Sequence, residues 1–320
     1  MTKNTRYFMA GSAAVLGAGL TAGLVAFYAG GFQAVSAAPV ATELRYIPAA
    51  STVVAYADIQ SIMNSELRLK LKAAMPAHTQ GQEEFKTHTG IDIEQDIDYI
   101  VAAASGVTPE AGGIIVARGR FNDTQLETLA REHGGQVAEY KGKRIINSPA
   151  IEGGKQVSLA FLEPGLVAIG TVAAVQQAID AQLTSQSVTG NTEMMELVGE
   201  IASGNNAWAV GRFDTIASQA NLPAELASKM PPVKWFTAAG HINGGVTGTL
   251  RVEANDDASA DLLRRQVSGA LAFGEMIGKQ DPRAGALINS LQLTGTGKTV
   301  AISFQVPAEL LSLIPQVVEK

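Results

Sequence analysis

Thr52-Val53-Val54-Ala55-Tyr56-Ala57-Asp58 opens the folded part of the chain. Ala207-Trp208-Ala209-Val210-Gly211-Arg212-Phe213-Asp214 repeats its form, a short apolar run ending in aspartate. Runs of this length, rich in Val, aromatic and small residues, read as strands. After the first run, Ile59, Ile62, Met63, Leu67, Leu71 and Met75 recur at helical spacing, so Asp58 stands where an N-cap belongs. Pro76 stops that helix.

Further along the chain, strands are expected over 99–104 and 113–118, then a helix to Glu132 capped at Asn122-Asp123 and closed by Gly134-Gly135. Residues 139–147 form a hairpin around Lys141-Gly142-Lys143, followed by strands over 156–162 and 166–170 and a helix over 172–183. The polar stretch 184–191 marks a boundary, after which the pattern starts again. A hairpin crosses Asn243-Gly244, Asn255-Asp256 caps a long helix over 258–278, and the strand 300–304 matches 157–161. The offsets between matched positions are 156 (Asp58 to Asp214), 133 (Asn122 to Asn255) and 143 (Phe161 to Phe304), so the repeat is structural and diverged. The expected fold class is α+β: a single N-terminal transmembrane helix, then a duplicated unit of antiparallel sheet covered by helices. The expected divisions are 1–31 (cytoplasmic tip and membrane helix), 32–45 (linker), 46–183 (first unit) and 191–320 (second unit).

The membrane helix rests on residues 7–42, which carry no charge, with Lys3 and Arg6 before them and Glu43 and Arg45 after. Tyr7 and Phe8 at one end and Phe27 and Tyr28 at the other suit the two interfaces, and the Tyr7 to Tyr28 rise of about 31 Å matches a bilayer core. The positive-inside tendency places the chain in the bacterial inner membrane, N-terminus cytoplasmic and residues 43–320 periplasmic. The competing reading is a signal peptide cleaved near Ala37, against which stands the length of the apolar run. Gly19 and Gly23 form a Gly-x-x-x-Gly, and Ala18, Ala22 and Ala26 continue a small-residue stripe on which another helix could pack.

A net charge of -6 and the lack of a basic stripe with interleaved aromatics argue against nucleic acid. The chain has no cysteine, which excludes disulfides, thiolate zinc sites and thiol nucleophiles.

The segment Tyr46-Ile47-Pro48-Ala49-Ala50-Ser51-Thr52-Val53-Val54-Ala55-Tyr56-Ala57-Asp58, with Met63-Asn64-Ser65-Glu66-Leu67-Arg68 and residues 85–100 after it, resembles a group of bacterial envelope proteins. Those proteins carry an N-terminal anchor and a Pro-Ala-x-x-x-Val-Val-x-Tyr-x-Asp segment. The resemblance implies an envelope location and a fold but no activity, cofactor or site.

Motifs for chemistry fail on their own requirements. Gly295-Thr296-Gly297-Lys298-Thr299 has Gln292 where a phosphate loop needs glycine, and a strand rather than a helix follows it. Asp92, Glu94, Asp96 and Asp98 alternate like calcium ligands, yet Ile97 holds the glycine place and Ala103 the glutamate place. His78, His88, His133 and His241 form no His-Glu-x-x-His pair, and neither a nucleophile elbow nor a Ser-x-x-Lys motif occurs. Asp58, Asp123, Asp214 and Asp256 each sit between strand and helix, where capping explains them. The sequence therefore points to a non-enzymatic accessory or structural subunit without metal or cofactor. Its partners would be the lipid bilayer and a membrane protein complex, for example respiratory or photosynthetic, met through helix and periplasmic domain. The alternative is a periplasmic binding module for a small apolar or lipidic ligand held between sheet and helices.

Overall fold

A computed structural model describes residues 42–74, 86, 90–106, 112–149, 156–219, 231–279 and 282–311. In chain order, the first half is a 3-10 turn Thr42–Tyr46, β1 (Val53–Ala57), α1 (Ile59–Met63), α2 (Glu66–Ala74), α3 (Ile93–Asp96), β2 (Ile97–Ala104) and β3 (Gly113–Gly119). It continues with α4 (Asp123–Glu132), β4 (Gln136–Tyr140), β5 (Lys143–Asn147), β6 (Val157–Glu163), β7 (Leu166–Thr171) and α5 (Val172–Thr184). After a second 3-10 turn, Val188–Gly190, come α6 (Thr192–Ala202), β8 (Ala207–Arg212), α7 (Phe213–Gln219), β9 (Val233–Ile242) and β10 (Gly245–Ala254). The last described elements are α8 (Asp257–Gly278), α9 (Pro282–Asn289), β11 (Leu291–Thr294), β12 (Thr299–Pro307) and α10 (Ala308–Leu311).

Local chemistry sets the joints. Asp58 Oδ1 accepts from the Ser61 amide at 2.8 Å, Asn122 Oδ1 from Gln125 at 3.1 Å and Asp256 Oδ1 from Ser259 at 2.7 Å. Each satisfies an amide that a helix start leaves without an intrahelical partner. The β4–β5 hairpin turns on Lys141 (φ 48°) and Gly142 (φ 79°), the pair of left-handed residues that matches strand twist.

The described strands form a single antiparallel sheet in the order β11-β12-β10-β9-β8-β1-β2-β3-β7-β6-β5-β4. Alternation along the strands gives the sheet two faces. One carries Val54, Tyr56, Val101, Val116, Ala168, Trp208 and Val210, and against it pack the first 3-10 turn, α5 and α6, forming the main core. On the opposite face α4 covers Ala117, Ile146, Phe161 and Val167, while α8 covers Val252 and Val300. The stretch 184–191 is bonded back into this body, with the Val188 amide donating to the Ile47 carbonyl at 2.9 Å.

Two expectations are corrected. The expected duplication into separate sheet units does not hold among the described residues: β1 pairs with β2 on one edge and with β8 on the other, so both halves build one sheet. Sequence pattern identifies strands but not their partners across 150 residues, which is why the shared sheet was missed. Nor is the inner-membrane location supported, since no helix among the described residues is long and apolar enough to cross a membrane. The segment 7–31 lies outside the described residues, and with it Gly19, Gly23, Ala18, Ala22, Ala26, Tyr7, Phe8, Phe27 and Tyr28.

Candidate functional site

The two halves use the same strand order outward from the centre, β1-β2-β3-β7-β6 and β8-β9-β10-β12-β11. In the first half α5 lies over β7 and β6 and buries Leu166, Ala168, Ala160 and Leu162. In the second half the helices packed on β10 and β12, namely α8 and α10, occupy the other face. The uncovered side there is polar. Thr247 faces Gln305 across the β10–β12 ladder, Thr249 faces Ser303, and Gln292 on β11 also faces Ser303. Together with the end of α6 these residues enclose a cleft of about 530 Å³, within the range of small-molecule sites. Glu200 on α6 and Arg251 on β10 form an ion pair at one side of it, which leaves the lining without net charge. Thr249 and Ser303 hydroxyls are bonded to each other at 3.2 Å.

At Thr247 stand two polar atoms without partners among the described residues. Thr247, half-buried in the lining, has its Oγ1 buried and unbonded, and so is Nδ1 of His241, a residue only 8 % exposed. His241 and Thr247 are directly opposite in the β9–β10 register. Burial pushes the His241 imidazole below its usual range, against the pull of Asp58. Burial likewise pushes the Asp58 carboxyl up, opposed by the Ser61 amide, reinforced by Asp98 and opposed again by His241. Asn206 fixes the neighbouring backbone: its Nδ2 donates to the Ile242 carbonyl at 2.9 Å and its Oδ1 accepts from the Ile242 amide at 2.9 Å. His241 is therefore held neutral in a rigid setting, able to donate or accept one further hydrogen bond.

A second polar cluster has a structural role. Glu43, 1 % exposed, accepts from Arg118 Nη2 at 2.5 Å and Nε at 3.1 Å. Burial alone would raise the Glu43 carboxyl, but the hydrogen bonds from Arg118 and Tyr99 outweigh it and hold the group below its ordinary range. Beside it Tyr46 donates to Glu163 at 2.7 Å, and burial together with that carboxylate pushes the phenol up to about 12. These pairs fasten the first 3-10 turn to β3 and β6.

The acidic series noted in the sequence is consumed internally. Asp92 caps α3 and pairs with Lys86, Glu94 pairs with Arg68, Asp96 accepts from the Asp92 amide, and Asp98 pairs with Arg120. Among the described residues no group of three or more metal-ligating side chains is gathered. Asp123 binds Arg144 while Asn122 does the capping, and Asp214 is held by Arg212, whose guanidinium lies over Trp235. Gly295 and Gly297, both with positive φ, form the turn between β11 and β12. The cleft was not legible in the sequence, because its residues lie on four strands and α6 and are adjacent only through the ladders and helix packing.

No family model and no curated protein matches the chain. Among solved structures it is similar to crystal form IV of TP0453, with a TM-score of 0.49 and 11 % identity over 85 % of this chain and 95 % of that one. Crystal form I of TP0453 gives a TM-score of 0.46 and 11 % identity over 86 % and 97 %. Likeness at this level bears on neither site nor function.

Proposed function

We propose that this protein is a non-enzymatic binding module whose ligand occupies the cleft between α6 and the polar face of β9, β10, β12 and β11. The observation that carries the reading is the replacement of a helix-covered apolar surface in the first half by an open, hydrogen-bonding one at the matching place in the second. The lining favours a polar ligand over the small apolar or lipidic one of the alternative sequence reading. Native mass spectrometry of the full chain purified from its own cells tests this. A bound small mass, lost in a cleft-filling Thr249→Trp variant, is expected; absence of such a mass, or its persistence in the variant, overturns the proposal.

A second reading, an accessory subunit docked on a larger protein complex, is favoured by the outer side of α8. Leu262, Phe273 and Met276 are large, apolar and exposed there, and spacings of 11 and 3 residues put them along one side of the helix. Phe273→Ser with Met276→Ser should then abolish co-migration with a partner after mild extraction. Unchanged co-migration counts against it.

A further inference from the structure

We infer that the cleft takes a neutral polyhydroxylated ligand, a saccharide unit; this rests on the cleft being the binding site. Three features select the class. The charges at its edge, Glu200 and Arg251, are paired with each other, so neither a phosphate nor an ammonium finds a free counter-ion in the lining. Among the remaining polar groups, the hydroxyls of Thr247, Thr249 and Ser303 and the amides of Gln292 and Gln305 can each donate and accept. A ligand that satisfies such a surface must itself alternate donors and acceptors at short intervals, as sugar hydroxyls do.

An antiparallel sheet often leaves one face to water, and that alone would explain exposed hydroxyls. It does not explain Thr247. A solvated threonine bonds water, whereas the Thr247 hydroxyl is buried and, among the described residues, unbonded opposite the equally unbonded His241 Nδ1. Buried polar groups are as a rule satisfied, and an exception calls for an explanation. Thr247 itself lines the cleft, so the unsatisfied hydroxyl belongs to a residue that a ligand there would touch.

The test is calorimetric titration of the full chain with neutral mono- and trisaccharides of glucose and of N-acetylglucosamine at millimolar concentration. Saturable binding of at least one sugar is expected, with affinity about tenfold lower in Thr247→Val, which keeps shape and removes one hydrogen bond. Failure of every sugar, or equal affinity in Thr247→Val and in Ser303→Ala, overturns the inference. If every sugar fails while a native bound mass disappears in Thr249→Trp, the saccharide class is wrong and the cleft remains the binding site. Sugar binding that survives Thr249→Trp overturns both.

Discussion

Val54 and Val210 face each other across β1 and β8, both 0 % exposed. The 156 residues between them (210 − 54) equal the spacing from Asp58 to Asp214 (214 − 58). Each valine is therefore paired with its own counterpart in the repeat, and a local two-fold axis passes between them. The halves differ in what they lay on this common frame, α5 in the first and a polar cleft in the second.

Since the seam is fully buried, Val210→Ala should lower stability by about 2 kcal/mol, two buried methyl equivalents plus the cavity left behind. Because both halves share one sheet, urea unfolding followed by fluorescence and by circular dichroism should still give coincident single transitions. Two separate transitions would show that the halves fold independently.

Glu43→Gln removes the buried carboxylate, while Arg118, a quarter exposed, keeps Glu163 at 3.6 Å. A loss of about 1.5 kcal/mol is expected from weakening the charge-assisted hydrogen bonds. With its folded pKa depressed, Glu43 contributes stability that is present above the unfolded value of 4.5 and lost as pH falls through the folded value. The variant should therefore lack this part of the acid sensitivity, as denaturation midpoints against pH would report.

Asp58 behaves in the opposite sense. Its folded pKa is raised, so its contribution is full below the unfolded value of 3.8 and is lost as pH rises through the folded value. Asp58→Asn keeps the cap and removes the buried charge, and should be as stable as the parent or slightly more so at neutral pH. Asp58→Ala loses the cap and about 1 kcal/mol. Equal losses in the two variants would show that the charge, not the cap, matters.

Thr247→Val should raise the melting temperature, by the equivalent of about 1 kcal/mol, because it deletes a buried hydroxyl that has no partner. Scanning calorimetry without added ligand measures this. A drop instead would mean that the hydroxyl is satisfied in solution.

Local elements were legible in the sequence where the chemistry is local. The cap at Asp58, the turn at Lys141-Gly142 and the two-residue link Asn243-Gly244 all stand between the elements expected of them. Partner choice was not legible. The run ending at Phe304 was matched to the run ending at Phe161, yet in strand order β12 takes the place of β7 rather than β6. Both runs alternate in the same way, and only the ladder distinguishes them. The cleft was hidden for the same reason: alternating Thr, Ser and Gln read as an ordinary wetted strand face until the register sets Thr247 beside His241 and Gln305.

The pairing of β1 with β8 also bears on how the chain is made. As the polypeptide leaves the ribosome, the first seven strands emerge before β8 exists, and one flank of β1 offers bare amides and carbonyls to any strand nearby. Pairings this distant form slowly, and half-made sheets aggregate meanwhile. A chain ending at residue 190 should accordingly scatter light within minutes of dilution from denaturant, where the full chain stays clear. Nascent copies of this protein thus carry that bare flank of β1 for the interval between the two halves.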